Sequence, residues 1–548
     1  MSAMPPSRVE VRRDLLVLGS AAAILFFLSL GARDLWNPNE PIYGQGVVEM
    51  DARDDWLVPS VNGLVFAEKP ILYYWIALAA SSVSGGASEV SLRVSSALSG
   101  VVGAVLVYLL VCPYAGRTRS RLAVALYATI FMVYWGSRTV QMDILVMATS
   151  LGVLLAVSRL LDHGLSPRVG WSLAGLAAGL GFLAKGPVGL VCPGIPAFLY
   201  ILATRRLAVL RAPAFALGAF VCAATAAPWF LLLWARGDAD FIVELLFRQN
   251  ITRFLSPWDH QAPWWYYLKY FWIDMAPWAF FVPLAARLPD RDPDERRLDL
   301  LAWLWIASVV LFFSLSQSKR SAYILPIAPA VAVLASGLAE RLLGGRLGKV
   351  RARLSLVLLG LLGISTLVAG LVLWWRILPG FPEVKVEGRA LAMLFTLGGA
   401  AILAGFVARR SVRSVVPTAF FSLLLVFYML ISVSVLPALD VYKSARPFCE
   451  RVRALVAPEA DLASFGFWDW RASYTFYLAR PVRNLESVGE LRGYWERVEQ
   501  AFLILEDLQL EKAREVLGES RPWVQSRVGS KTVYLFSNRE EADPLNPE

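Results

Sequence analysis

The sequence predicts a polytopic α-helical membrane protein with about 13 transmembrane helices and a small C-terminal α/β domain outside the membrane. Three observations predict it. Of 548 residues, 57% are hydrophobic and only 18% charged, whereas soluble domains carry roughly 25% charged residues. Mean hydropathy is +0.54, and the apolar residues gather in runs near the ~20 residues a helix needs to cross a bilayer. The basic residues gather in short loops between those runs, as the positive-inside rule requires of cytoplasmic loops. A large soluble enzyme and a disordered chain are excluded. So is a transmembrane β-barrel, which shows ~10-residue alternating segments. The net charge of +10 is a topology signal, and no nucleic-acid partner is expected.

Arg8, Arg12 and Arg13 precede an apolar run from Leu15 to Leu30. No small-residue cleavage site follows, so this reads as an uncleaved first helix. Further apolar runs lie at 71–84, 92–112, 122–137, 141–161, 171–184, 186–204, 213–235, 266–286, 300–317, 321–340, 354–375, 390–408 and 415–436. The run 71–84 is short and carries Tyr73, Tyr74 and Trp75 near its start, which suits a shallow interfacial helix. Without it, 13 crossings remain. Counted from a cytoplasmic N-terminus, the inner loops then hold Arg117/Arg119/Arg121, Arg168, Arg205/Arg206/Arg211, Arg287/Arg291/Arg296/Arg297, Arg341/Arg346/Lys349/Arg351/Arg353 and Arg409/Arg410/Arg413. If 71–84 crossed, most of these would face outward.

The expected domains are a membrane part, 1–436, whose first outer loop, 32–91, carries interfacial helices, and a polar outer domain, 437–548. The latter alternates strand-like runs (Leu462–Phe467, Ala501–Leu505, Thr532–Phe536) with helix-like ones (Ala445–Val456, Glu511–Val516), the pattern of an α/β domain. Ser537–Glu548 reads as a polar frayed end. No repeat of fixed period is present. The four cysteines form no disulfide or metal pattern, and His163 and His260 alone exclude a His-rich metal site.

Charged residues gather at the outer ends of the helices. The first outer loop holds Asn39, Glu40 and Tyr43, then Glu68-Lys69-Pro70. Its aromatics are expected to dock at the interface and leave Glu40 and Lys69 at the membrane surface. Arg138 and Asp143 flank the start of the fourth span, Lys185 breaks the fifth from the sixth, Arg253 and His260 lie in the fourth outer loop, and Lys319 precedes Tyr323. Singly, each suits a helix-end residue that snorkels. But Lys185 and Lys319 stand in short outer turns, where cations are uncommon, and an anionic headgroup or phosphate is their simplest partner.

Together these residues resemble a family. The segments Leu35-Trp36…Pro38…Glu40…Tyr43, Gly63…Phe66-Ala67-Glu68-Lys69-Pro70 with Tyr74-Trp75, Phe182-Leu183-Ala184-Lys185-Gly186-Pro187, Pro228-Trp229, Arg253-Phe254, Pro277-Trp278 and Ser316…Ser318-Lys319…Tyr323-Ile324-Leu325-Pro326 are similar to those of the bacterial GT-C glycosyltransferases of the lipid A aminoarabinose transferase type, related to the protein O-mannosyltransferases. The resemblance covers nearly the whole chain. It implies a GT-C fold of 13 helices in the bacterial inner membrane, with a periplasmic C-terminal domain. It implies transfer of a sugar from a polyprenyl (undecaprenyl) phosphate carrier to an envelope acceptor: lipid A, another glycolipid, a polysaccharide or a protein. Lys69, Arg253, Lys319 and Tyr323 fall on positions similar to donor-phosphate ligands; Lys185 is added on its outer-turn position. Asn39, Tyr43, Glu68, Arg138 and His260 are the further substrate-binding candidates.

The chain departs from the family where the family reads Pro-Asp-Glu-x-Arg-Tyr. Asn39 replaces the expected catalytic Asp, Ile42 replaces the Arg, and Gln249-Asn250 replaces a Glu-His pair. The chemistry is displacement at the anomeric carbon, expected to invert it, with a lipid phosphate leaving. Fixed cations must stabilise that phosphate, and a hydroxyl acceptor must lose its proton to a base. An amide cannot take that proton, so Glu40 is the first candidate and Asp143 the second. A phosphate acceptor needs no base, and Asn39 then hydrogen-bonds the sugar. No cofactor is expected; a divalent ion would rest on Glu40 and Asp143. The alternatives are a transporter or flippase for lipid-linked sugars, which should show repeats and midplane charges, and a non-catalytic relative that keeps Lys69, Lys185 and Lys319.

Overall fold

The computed structural model describes residues 7–255, 260–286, 288, 291–407, 412–467 and 472–539. Arg287, Arg409 and Arg410 of the basic loops, and 540–548 of the polar end, lie outside the described residues. By its contacts the chain forms two units. One comprises Met1–Leu30, Ala67–Ile76 and Arg93–Val433; the other comprises Gly31–Phe66, Ala77–Leu92 and Ser434–Glu548.

The first unit is helical. Among the described residues, eight helices are long and apolar enough to cross a membrane: Glu89–Ala128, Met142–Asp162, Pro213–Arg236, Pro293–Leu315, Ser321–Leu343, Lys349–Gly380, Pro382–Val407 and Val412–Ala438. The helices Arg8–Phe27 and Pro167–Lys185 join them, as does the shorter apolar helix Val188–Ala203; the shorter apolar helix Leu72–Ser84 begins in this unit and ends in the other. Arg8–Phe27 starts in a capping box: the Ser7 hydroxyl accepts from the Glu10 N–H, and the Glu10 carboxylate accepts from the Ser7 N–H at 3.1 Å. Burial separates centre from rim. Ser321–Leu343 is 83% buried along its apolar window and Met142–Asp162 72%, but Lys349–Gly380 only 17%. The rim helices therefore turn Leu361, Val368 and Leu397 outward, which suits a lipid surround and no aqueous one. Glycine lets two helices touch: a Cβ on Gly175 of Pro167–Lys185 would stand 2.0 Å from the carbonyl oxygen of Gly218 on Pro213–Arg236.

Several predicted runs are broken. The run 122–137 is not one helix; it ends at Ala128 and restarts as Phe131–Ser137. Thr129 donates its hydroxyl to the Ala125 carbonyl (2.8 Å) and accepts from Trp278 Nε1 (2.9 Å), while the Phe131 N–H leaves the helix for the Ala276 carbonyl (2.9 Å). Upstream, Gly116 breaks Glu89–Ala128 at φ 73°. The run 266–286 divides into Tyr266–Asp274, Trp278–Phe281 and Val282–Ala285, and proline at 277 and 283 removes the donors a continuous helix would need. The run 321–340 opens as a tight turn, Ser321–Ile327, before Ala328–Leu343.

The second unit carries two sheets. Strands β1 (Ser60–Val61) and β2 (Leu64–Val65) form a hairpin. Its turn is tied by the Glu49 carboxylate, which accepts from the Ser60 hydroxyl and the N–H groups of Asn62 and Gly63. Strands β3 (Leu462–Phe465), β4 (Arg483–Leu485), β5 (Phe502–Glu506), β6 (Val524–Val528) and β7 (Lys531–Ser537) form a mixed sheet in the order β4-β3-β5-β7-β6. β3 runs parallel to β4 and β5, and β7 antiparallel to β5 and β6. Register pairs Ser464 with Asn484 and Ile504, and Leu535 with Ile504 and Val524. β5 is wholly buried, with Ala463, Leu485, Leu491 and Leu517 in the surrounding core. Strands β4 and β6 and the helices Ala472–Leu478 and Val488–Arg497 were not among the expected runs. The helix Asn39–Ala52 lies in the segment 32–91, the first outer loop for which interfacial helices were expected.

Candidate active site

In the first unit the chain breaks where helices change direction, and three of the cations expected at outer helix ends meet there. A cleft is lined by Glu68, Lys69, Lys185, Gln249, Asn250, Arg253 and Tyr323, with Phe254, Phe312, Phe313, Ser316 and Ser318 among its walls. Each cation arrives from a different element. Lys69 precedes the helix Leu72–Ser84. Lys185 ends the helix Pro167–Lys185, which Gly186 terminates at φ 66°, a conformation that favours glycine. Arg253 follows the wide π-type turns of Glu244–Thr252, which carry Gln249 and Asn250. Tyr323 lies in the tight turn Ser321–Ile327.

The contacts show how the side chains are aimed. The Lys185 ammonium pairs with Asp143 Oδ1 and lies 4.5 Å over the Tyr323 ring, a cation–π contact. The other oxygen of Asp143 accepts from Gln141 Nε2 at 2.9 Å. Arg253 Nη1 donates to Gln249 Oε1 at 3.4 Å, and Asn250 Nδ2 to the Leu245 carbonyl at 2.7 Å. The Lys69 ammonium is 3.9 Å from the Glu68 carboxylate and donates to the Glu68 carbonyl at 3.1 Å. Burial pulls the Lys69 ammonium down to about 8; Glu68 opposes this, and Lys185, Arg253 and Arg320 repel its charge.

Lys319 is aimed elsewhere. Its ammonium donates to the carbonyls of Ala262 (3.1 Å) and Ser316, and its N–H to the His260 carbonyl (2.9 Å). With the bridge between Gln261 and Ser318, it straps 260–262 to 316–319. Burial lowers its proton affinity. The His260 side chain is exposed. Arg138 donates to the carbonyls of Leu25, Phe26 and Ser29 at 3.0–3.3 Å, so it caps the end of Arg8–Phe27. Gln249, Asn250, Ser316 and Ser318 went unselected in the sequence, although the first pair stood out as a departure and the serines flank Lys319.

Asn39, Glu40 and Tyr43 belong to the second unit. Glu40 is 4% exposed. Its Oε2 accepts from Arg33 Nη1 at 2.7 Å and from the Trp36 N–H at 3.1 Å. Arg33 stacks 4.4 Å over the Trp36 ring. Asn39 is half-buried at the start of Asn39–Ala52, and Tyr43 packs against Phe66 at 5.9 Å. Among the described residues no group of three His, Cys, Asp or Glu side chains gathers as a metal site would require.

The model of the dolichyl-phosphate-mannose-protein mannosyltransferase family matches residues 68–234, the stretch that holds Lys69, Asp143 and Lys185. The undecaprenyl phosphate-alpha-4-amino-4-deoxy-L-arabinose arabinosyl transferase of Aeromonas salmonicida is 32% identical over 399 residues, which cover 71% of this chain and 71% of that protein. The chain belongs to this arabinosyl transferase family. The Pectobacterium carotovorum member is 29% identical over 84% of both chains. The Pectobacterium atrosepticum member is 31% identical over 67% of this chain, and that alignment spans just under two thirds of the relative, 66%. The fold agrees: the crystal structure of ArnT from Cupriavidus metallidurans bound to undecaprenyl phosphate superposes with a TM-score of 0.77 at 21% identity, over 97% of this chain and 99% of ArnT. A helical GT-C membrane fold with a small C-terminal sheet domain is thus shared, and the chain is a glycosyltransferase of the arabinosyl transferase family.

Proposed function

We propose that the chain transfers an aminoarabinose-type sugar from undecaprenyl phosphate to a phosphate group of lipid A, on the periplasmic face of the bacterial inner membrane. The observation that carries this is the convergence of Lys69, Lys185, Arg253 and Tyr323 on one cleft. Three cations at fixed positions match what the leaving lipid phosphate requires as charge develops on its bridging oxygen. The names of the relatives supply the donor. Lys319 then serves as the strap of the cleft wall rather than as a phosphate ligand, and Asp143 holds Lys185 in place.

A phosphate acceptor fits the carboxylates. Asn39 takes no proton, Asp143 is engaged by Lys185 and Gln141, and Glu40 by Arg33 and the Trp36 amide. An acceptor oxygen that is already anionic attacks the anomeric carbon without a base, and the sugar–phosphate bond breaks with its electron pair going to the carrier phosphate. Asn39 and Glu68 hydrogen-bond sugar or acceptor in this reading. The chain's own cations neutralise the charge, with no cofactor. The membrane part is 1–436 with 13 crossings, supported by the eight long apolar helices, the shorter ones between them and the placing of the basic loops. The N-terminus is then cytoplasmic and 437–548 periplasmic.

Mass spectrometry of the native host with and without the chain tests the reading. Loss of the chain should leave sugar-charged carrier accumulating and lipid A lighter by one sugar; unchanged pools of both overturn it. Glu40→Gln separates the acceptor classes. Transfer to phosphate should fall less than about tenfold, whereas a general base for a hydroxyl contributes about 10²–10⁴-fold.

A further inference from the structure

The second unit holds the segment Gly31–Glu40 with side chains from 400 residues further along the chain. Three successive residues are gripped. The Asp34 N–H donates to Asp440 Oδ2 at 2.9 Å, and the Trp36 indole Nε1 to Asp440 Oδ1 at 2.6 Å, so each oxygen of one carboxylate holds one residue. Between them the Leu35 N–H donates to the Tyr477 hydroxyl at 2.7 Å. Leu35 is 1% exposed and Tyr477 5%, so this donor has no water to fall back on. Arg446 fastens the side chain: it pairs with Asp34 Oδ1 at 3.1 Å and with Glu89, and stacks 4.9 Å over the Tyr477 ring. Five residues after Asp34 comes Asn39, and the Glu40 carboxylate closes back on Arg33 and Trp36.

A folded domain core has no need of this grip, since the sheet closes its own ladders and core. We propose that Asp440, Tyr477 and Arg446 are positioning residues: the C-terminal domain clamps the segment 34–36 and thereby sets the register of Asn39 and Glu40 for transfer. The inference rests on the reading above that Asn39 touches the substrate. Register matters because a displacement near 1 Å costs about 10²-fold in rate.

The test uses the full chain in lipid nanodiscs, with undecaprenyl phosphate-aminoarabinose as donor and lipid A as acceptor. Asp440→Asn turns an amide NH₂ toward one of two N–H donors, and Tyr477→Phe strands the Leu35 N–H. Each should lower kcat about 10- to 100-fold with donor KM within about twofold. Neither should add to the loss of Asn39→Ala when combined with it. Tyr494→Phe is the control: that hydroxyl bonds the Asp461 and Phe502 carbonyls inside the domain, so its loss should lower Tm and leave kcat unchanged. Unchanged kcat in the clamp variants, an equal fall in Tyr494→Phe, or full additivity with Asn39→Ala overturns the clamp. If Asn39→Ala alone keeps full kcat, the substrate reading of that segment fails, and the clamp's role with it. Should either clamp variant misfold, Trp36→Phe removes one donor only, and an unaltered kcat there is equally adverse.

Discussion

Lys69 is a cation placed where cations are disfavoured. Burial and the repulsion of Lys185, Arg253 and Arg320 pull its proton affinity down to about 8. An anion that binds the ammonium form restores that affinity, so binding takes up a proton at alkaline pH. Affinity for undecaprenyl phosphate should therefore weaken above pH 8, approaching about tenfold per pH unit. Lys69→Arg should remove that limb, because guanidinium stays charged. Stability moves the opposite way: above pH 8 the folded chain holds fewer protons at this site than the unfolded one, so the contribution of Lys69 rises with pH. Titration calorimetry from pH 7 to 9.5 reads the first effect, and a flat profile would remove Lys69 from the phosphate site. Lys185 was legible in the sequence because a cation in a short outer turn breaks the positive-inside pattern, whereas Lys69, Arg253 and Tyr323 were read from the family resemblance. The partners of Glu40, Arg138 and Lys319 were not legible. Lys319 and Arg138 bond backbone carbonyls, which carry no residue signature, and Arg33 reads as an ordinary helix-end arginine.

At the scale of elements, legibility followed continuity. Met142–Asp162 and Pro213–Arg236 are uninterrupted apolar runs and fall within two residues of their predicted bounds. The run 122–137 is equally apolar, but its break depends on Trp278 and Ala276, more than a hundred residues away. In the C-terminal domain β3, β5 and β7 showed as apolar runs. β4 has three residues and β6 is a polar edge strand, so neither had a pattern to read. Contact between helices was equally hidden, since Gly175 and Gly218 carry no side chain to suggest it. Gly175→Val should drive a side chain into the Gly218 carbonyl oxygen, which is backbone and cannot rotate away. Overpacking of this kind costs about 1–3 kcal/mol, read as a lower Tm in detergent. Ala at 194, where a Cβ meets nothing within 4 Å, is the matched control.

Across the whole molecule, the arrangement of charge decides which way the chain faces. The eight long apolar helices do not fix orientation alone; the parity of crossings does, and the run 71–84 sets that parity. Leu72–Ser84 has 13 residues, about 20 Å of helix at 1.5 Å per residue, against a hydrocarbon core of ~30 Å. In the proposed 13-crossing topology it is too short to span, and the loops holding Arg168, Arg206 and Arg346 are then expected on the N-terminal side and those holding Gly237 and Gly380 opposite. Single cysteines test this cleanly, because Cys112, Cys192 and Cys449 are buried and Cys222 is half-buried, which keeps background labelling low. Cysteine at 237, 380 and 520 should react with a membrane-impermeant maleimide in intact spheroplasts. Cysteine at 168, 206 and 346 should react only after lysis. If 71–84 crosses instead, 237 and 380 exchange with 168, 206 and 346, and the cationic cleft then faces the cytoplasm, where a periplasmic transfer reaction has no place.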